Sequence, residues 1–433
     1  MADTPTMPQD MLTLDIGSTE FRKDAFERYK ELNAKCPAHR AVITNGSGEG
    51  EQQGFFNRPV VLVTGYDAVN TALLDPTVSV DFTKVMPPEM LEQMPPTAEE
   101  FRPLSRSVLT LDPPDHTRLR KLVQKSFTAG EIEKLRPRIR KIADDLLDAA
   151  VAAAEARGET SPKRQMELIS QFAFPLPMTV ISEMLGVPSE DRENVRVWSE
   201  NLLSAQRATP EQQEEITRNI RDFIAYLKDL FAAKRANPQD DMISQLVQAE
   251  EDGDRLDEDE LLSMVFILIV AGHITTVNLI ANGVYALLAN PEQLAKLQAD
   301  PSLVKNTVEE TLRYYGPAET TTPRYATAQL DLDGLTVMPG ETMIAVLAAA
   351  DRDPARFADP DRFDITREDA HRHVAFGKGL HACLGAPLAR LEGQVAFETI
   401  LERMPHLALA VPAEEITWQA SFLRSLNGLP LTF

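Results

Sequence analysis

The stretch FGKGLHACLG, Phe376 to Gly385, decides how the rest of the chain is read. Cys383 stands just before LGAPLARLEGQVAFETILERM, whose apolar residues recur at helical spacing, so it is predicted at or just before a helix N-terminus. Unpaired backbone N–H groups and the helix dipole there stabilise an anion and lower a thiol pKa toward the thiolate. Gly377, Gly379 and Gly385 lack a β-carbon, so the backbone can turn tightly and approach a flat ligand closely. His381 and Lys378 add positive or hydrogen-bonding character. A soft thiolate in a glycine-rich loop is a site for iron or another soft metal. A cysteine alone would read as a small buried hydrophobe.

Working outward, LLSMVFILIVAGHITTVNLIANGVYALLAN is apolar around every face, which marks a buried helix. The acidic run before it reads as the helix start, with Asp257 and Glu260 close to a capping box. Its apolar core, Leu261 to Gly272, reads as too short for a membrane span. Gly272 costs such a helix roughly 1 kcal/mol against Ala. With Thr275 and Thr276 next to it, it suggests either a local widening that admits a ligand or a packing notch with both hydroxyls bonded back to carbonyls. In LDPPDHTRLRKLVQKSF two prolines precede a helix with Asp115 as its cap. His116 and Arg120 share one face of it; they could hold a carboxylate or simply be solvated. SLVKNTVEETLRYYGP is a helix ended by Gly316-Pro317, with Glu310 and Arg313 spaced to pair. The threonine run of PAETTTPRYA, including Thr320 and Thr321, could line a pocket.

The Phe376–Gly385 stretch resembles the haem-ligand loop of cytochrome P-450 at every position by which that loop is recognised, and the matches run from about Asp112 to the C-terminus. The resemblance implies a mainly α, cytochrome P-450-like fold: a large helical part with a long central helix plus small β-sheets. It implies haem b as cofactor, with Cys383 as axial iron ligand pushing electron density that favours O–O cleavage. His116, Arg120 and Arg324 match propionate-binding positions. Ala271, Gly272 and Thr275 match the central helix across the distal haem face, and Ala375, Phe376, Gly377, His381 and Gly385 the cofactor loop. Glu310 and Arg313, with Arg362 as third member, match a structural buried network. Thr275 matches the threonine that assists oxygen activation. One position departs: the family usually has Asp or Glu before that threonine, and this chain has Ile274. Water with Thr275, Thr276 or the His273 imidazole is the expected substitute for proton delivery. The substrate pocket is expected to include Phe82, Val85, Phe266, Ile274, Thr320, Thr321, Phe422 and Leu423.

The activity implied is insertion of one atom of O2 into an apolar organic substrate, with electrons from NAD(P)H through a reductase and a ferredoxin. Two other readings stand beside it: a haem-thiolate enzyme that uses peroxide or couples substrates oxidatively, motivated by Ile274, and a haem-binding sensor or carrier without turnover. Basic residues near the thiolate loop (His371, Arg372, His373, Lys378, Arg390, with Arg118, Lys121 and Lys125) suit an acidic electron donor. The net charge of −22 argues against nucleic acid and anionic membrane as partners. Cys36 and Cys383, far apart, fit a reducing compartment. The N-terminus shows no signal pattern, so a cytoplasmic protein without membrane anchor, monomeric, is expected.

Residues 1–433 read as one domain. Its β-rich part is expected mainly at 40–65, 325–347 and 405–433, and its helical part at 112–316 and 384–403. AVITNG and PVVLVTGY read as a hairpin whose Gly-rich turn is a flexible insertion; FRKDAFERYKELNAKC and TGYDAVNTALLD read as helices. Val78 to Pro103 reads as loop with short helical turns, and in the resembling family covers the substrate pocket. LDLDGLTVMPGETMIAVLAAADRDP reads as two strands, and SFLRSLNGLPLTF as a terminal hairpin.

Overall fold

The computed structural model describes residues 11–16, 18–44, 56–92, 104, 106–204, 210–248, 250–251 and 254–433. The insertion between the first two long strands and much of the Pro- and Met-rich region fall outside the described residues. The described part of that region holds the short helical turns Phe82–Lys84 and Pro88–Glu92.

A helix of 32 residues, Glu258–Ala289, runs through the centre of the helical part. Its start obeys the capping-box expectation: the Asp257 side chain accepts from the Glu260 N–H at 2.8 Å, and the Glu260 carboxylate accepts from the Asp257 N–H at 3.1 Å. Helices Pro175–Leu185, Val304–Tyr315 and Ala386–Arg403 pack around it. A β-carbon on Gly283 would lie 2.2 Å from the Phe397 ring, so glycine lets the central and Ala386–Arg403 helices approach. The apolar stretch is longer than the sequence reading allowed: by length and composition this helix could cross a bilayer. Its most apolar window is 61% buried inside the protein, which is where an all-round apolar helix belongs. The helix also continues unbroken through Gly272, so no local widening forms. The notch reading is met only in part: a β-carbon at Gly272 would crowd Ile181 at 3.2 Å and the Thr275 hydroxyl bonds back to the Ala271 carbonyl, but the Thr276 hydroxyl turns to Glu392 and all three residues line a cavity.

The β part is a six-stranded sheet in the order Leu12–Leu14, Ala38–Ile43, Pro59–Val63, Thr342–Ala345, Arg324–Ala326, Val78–Ser79. The expected hairpin is present, with Ala41 opposite Val60 in antiparallel register. The Leu330–Thr342 region carries an extra strand: Leu330–Leu332 and Leu335–Val337 form their own hairpin, turning at Asp333 and Gly334 with φ of 50° and 95°, before Thr342–Ala345 joins the large sheet. The predicted terminal hairpin is not one. Pro430–Thr432 pairs with Ala408–Leu409 and with the distant Gln165–Glu167. Short strands with two candidate partners are settled by tertiary packing rather than by local pattern. The charged, Ala-rich run over 130–157 forms two helices, Ala129–Glu133 and Arg136–Ala156, with Pro137 in the first turn of the second. One large apolar core fills the helical part, and two smaller ones lie on the faces of the sheet.

Candidate active site

The Ala386–Arg403 helix starts immediately after the glycine-rich stretch, with Gly385 as its N-cap residue. Gly377 and Gly379 have φ of 64° and 71°, a region that side chains disfavour. A β-carbon on Gly379 would also sit 2.7 Å from the Leu73 carbonyl oxygen. These turns bring the Cys383 N–H to 2.8 Å from the Phe376 carbonyl, closing the loop so that the thiol faces a cavity. Burial pushes the Cys383 thiol pKa up; the N–H groups of Gly385 and Ala386 and the Arg120 and Arg390 guanidiniums only partly oppose this. The expected drop from the helix start is therefore outweighed by desolvation. Coordination to a metal, which deprotonates a thiol outright, would reverse that balance.

Behind the loop, Glu309 accepts two hydrogen bonds from Arg390, at 2.7 and 2.9 Å. Glu309 also receives His373 Nε2 at 3.1 Å, while His373 Nδ1 accepts from the Ala375 N–H at 3.1 Å. That pattern fixes His373 as the neutral Nε2–H tautomer. The Arg390 guanidinium lies 4.6 Å over the Phe376 ring. Glu310 and Arg313 form a fully buried two-point pair, at 2.7 and 2.8 Å. The third side chain of that network is Arg367, whose Nε reaches Glu310 at 3.3 Å. Arg362 was expected there, yet its side chain is 60% exposed and pairs with Asp364; only its carbonyl accepts from Arg313, at 3.1 Å. In a run as rich in arginine as this one, spacing does not say which guanidinium turns inward.

The cavity collects most of the predicted site: His116, Arg120, Ala271, Gly272, Thr275, Thr276, Thr320, Thr321, Arg324, Ala375, Phe376, Gly377, His381, Cys383 and Gly385 all line it. The helix carrying His116 and Arg120 spans Asp115–Gln124; Asp115 is its first residue rather than its cap, and no side chain caps it. His116 is 1% exposed, and both its ring nitrogens lack a hydrogen-bond partner. Its ring lies 4.3 Å from that of His381. Burial first, then His116 and Arg324, lowers the His381 pKa to about 4. Burial brings Arg324 down to about 10. A buried imidazole without partners, beside His381, Arg120 and Arg324, is a donor set short of an acceptor, and it suits the carboxylates of a porphyrin. With a thiol facing the same cavity and a glycine turn that permits close approach, the residues fit haem.

Several expected pocket residues lie elsewhere. Phe266 packs at 5.3 Å on Phe223, and Phe422 at 5.1 Å on Phe56. Leu423 pairs by its backbone with Ala318. Phe82, Val85 and Ile274 also stay out of the lining. The walls are instead Val108, Leu109, Ile267, Leu268, Leu279 and Leu347, aliphatic residues whose sequence context resembles ordinary core. His273 is buried against Phe174 with Nδ1 2.8 Å from the Ile269 carbonyl, away from the cavity; burial holds its pKa at about 4. The Thr275 hydroxyl donates to the Ala271 carbonyl at 3.2 Å. Thr276 has the buried Glu392 behind it, a residue that sequence reading passed over because it sits in an ordinary helical run. Burial pushes the Glu392 carboxyl up to about 8, and the Thr276 hydroxyl only partly offsets this. Neither Glu392 oxygen has a well-formed hydrogen bond among the described residues.

A family model described as "Cytochrome P450" matches residues 54–417. The chain is 43% identical over 422 residues to cytochrome P450 monooxygenase PikC of Streptomyces venezuelae, covering 96% of this chain and 94% of that one. It is 37% identical over 424 residues to 6-deoxyerythronolide B hydroxylase of Saccharopolyspora erythraea, covering 96% and 98%. Among solved structures it resembles the myxobacterial cytochrome P450 CYP267B1 in complex with myristic acid, with a TM-score of 0.84, 40% identity and coverage of 96% and 98%.

Proposed function

The chain belongs to the cytochrome P450 family, and from that premise we propose how its own residues divide the work of a haem-thiolate monooxygenase. It is a haem b oxidoreductase that acts on an organic substrate with O2 and a redox partner, and that assignment sets the carrier reading aside. Bound haem supplies the oxygen chemistry: activation of O2 by two electrons and two protons, one atom going to substrate and one to water.

Cys383 would supply the thiolate that holds the haem iron, and the Glu309–His373–Arg390 network braces its loop at Phe376. His116, Arg120, Arg324 and His381, which line the cavity, would receive the propionates. Glu310 and Arg313 serve structure, with Arg367 in the part expected of Arg362. On the opposite side, an apolar wall with few polar atoms excludes water and favours a sizeable apolar substrate. The relatives named for 6-deoxyerythronolide B and for a complex with myristic acid support that class, and the family's relatives support a place in secondary metabolism.

Proton supply passes to Thr276. Thr276 lines the cavity, and Glu392, protonated at neutral pH by its burial, stands behind its hydroxyl. Ile274 carries no proton, and His273 is neutral and turned away. A ferredoxin is the proposed donor, and the exposed His371, Arg372, Lys121 and Lys125 support its docking. His373, Arg390 and Arg118 add little to such a patch, because they are paired with Glu309, Glu309 and Glu260. We read residues 1–433 as one cytoplasmic, monomeric unit.

The observation that carries this reading is the Cys383 thiol facing the same cavity as the partnerless His116. Haem-loaded protein, reduced under carbon monoxide, should show the thiolate-type Soret band. Apolar ligands should shift its spin state, and NAD(P)H with reductase and ferredoxin should give a hydroxylated or epoxidised product. A colourless protein after offered porphyrin overturns the reading. Ile274 favours one second reading: product formed with peroxide but not with the electron-transfer chain would identify a peroxide-using or oxidative-coupling enzyme.

A further inference from the structure

A fully buried charged cluster joins three distant segments of the chain beside the substrate wall. Glu319 is 0% exposed and stands between Ala318 and Thr320, both of which line the cavity. Its carboxylate accepts from Arg424 Nε at 2.6 Å and from the Tyr29 hydroxyl at 3.1 Å, and it pairs with Arg22. Arg22, on the N-terminal helix Thr19–Lys35, also donates to the Ser421 carbonyl. The Arg424 N–H donates to the Pro317 carbonyl at 2.8 Å, and the Arg424 carbonyl accepts from Asn282 of the central helix at 2.9 Å. The positive charge left over is set against aromatic faces: the Arg424 guanidinium lies 4.2 Å from the Phe26 ring centre and 4.6 Å from that of Trp418.

Well-packed apolar residues often replace a buried ion cluster without loss of stability, so the contribution of this cluster is sought in the arrangement it specifies rather than in stability. What this one specifies is the course of residues 317–322. Three threonines follow Glu319 in sequence, and two of their hydroxyls are tied: Thr321 accepts from the Ala345 N–H at 3.3 Å, and Thr322 from Arg324 at 2.7 Å. Backbone pairs from Ala318 to Leu423 and from Thr320 to Val346 fix the segment on either side of Glu319.

We propose that Glu319 is a positioning residue for substrate: with Arg22 and Arg424 it holds the 317–322 wall at a set depth over the cavity, and so determines how long or bulky ligands are seated. This rests on the haem-site reading above. The test uses haem-loaded protein, two probes and two variants. Imidazole needs only the iron, whereas N-dodecylimidazole must also pass its chain along the wall; both are titrated by the Soret shift. Arg22→Met unties the N-terminal helix but leaves Glu319 and Arg424 as a one-to-one pair. It should raise the dissociation constant of N-dodecylimidazole at least about fivefold, the scale of one lost hydrogen bond, and leave that of imidazole within about twofold. Tyr29→Phe, which changes no charge, should act in the same direction and more weakly, and it decides alone if Arg22→Met fails to load haem. Equal changes for both probes, or no change for either, overturn the proposal. Absence of any imidazole shift in the parent protein overturns the haem-site reading itself, and this inference with it.

Discussion

The two sides of the cavity are built by opposite means. The Cys383 side comes from one short loop and the helix that follows it, closed by backbone turns at Gly377 and Gly379 and backed by charges fixed on Glu309 and Glu310. The opposite wall is gathered from segments as far apart as Val108, Ile267, Thr320 and Leu347, and its polar support, Glu319, lies behind it. A side built from sequence neighbours holds one geometry. A side built from distant segments can be changed piece by piece without loss of the fold, which is how one scaffold accommodates many substrates. Substitutions on the Cys383 side should therefore abolish or unfold, and those on the wall should redirect.

The largest effect is expected at Cys383. Cys383→Ser should remove the thiolate-type Soret band of the reduced carbon monoxide complex and all oxygenated product while the chain still folds, measured by absorption and circular dichroism. Product formation retained in that variant would break the comparison at its root. Next comes Arg313→Met, which leaves Glu310 buried and without its two-point partner. Loss of one member of such a pair costs roughly 3–5 kcal/mol, so urea unfolding should shift strongly and haem content should fall. An unchanged midpoint would mean that Arg367 alone satisfies Glu310.

Glu392 sharpens the comparison, because it sits on the Cys383-side helix yet touches Thr276 on the other side. Its carboxyl keeps its proton to about 8 in the folded chain, against an ordinary value of 4.5. A raised folded-state value favours the fold at low pH. That contribution is complete below the ordinary value and is lost as pH climbs through the folded one. Relative to Glu392→Gln, the parent should lose about 1.4 kcal/mol of stability per pH unit across that window, measured by urea unfolding at a series of pH values. Parallel pH profiles would show that Glu392 ionises normally and would remove it as a proton source.

What was legible in the sequence follows the same division. The capped central helix, the shared face of His116 and Arg120 and the pairing distance of Glu310 and Arg313 could be read because each is local. The roles of those residues and of Cys383 came from the family resemblance, since spacing alone left a solvated face or a chance pair equally open. The wall could not be read. Phe422 and Phe266 were natural pocket candidates by size, but each found an aromatic neighbour in the core, while Leu109, Ile267 and Leu347 carry no mark that separates a cavity-facing aliphatic residue from a buried one. Arg367 replaced Arg362, and the terminal strand chose a distant partner, for the same reason: tertiary packing selects among locally equivalent candidates.

The smallest effect is expected at Ile274. If its lack of an acid limited proton delivery, Ile274→Glu should raise product formed per NAD(P)H consumed. Yet the side chain lies outside the cavity lining, and Thr276, which lies within it, already has a protonated carboxyl behind it. A new carboxylate one residue before Thr275 would stand at a half-buried position outside the cavity lining, where it stays ionised and does not reach the reacting centre. The expected change in coupling is therefore small, about twofold or less, the equivalent of under 1 kcal/mol in the barrier. Glu392→Gln should lower coupling by more. A large gain from Ile274→Glu together with indifference to Glu392→Gln would reverse the assignment, moving proton supply from the Cys383-side helix back to the position where the family usually carries it.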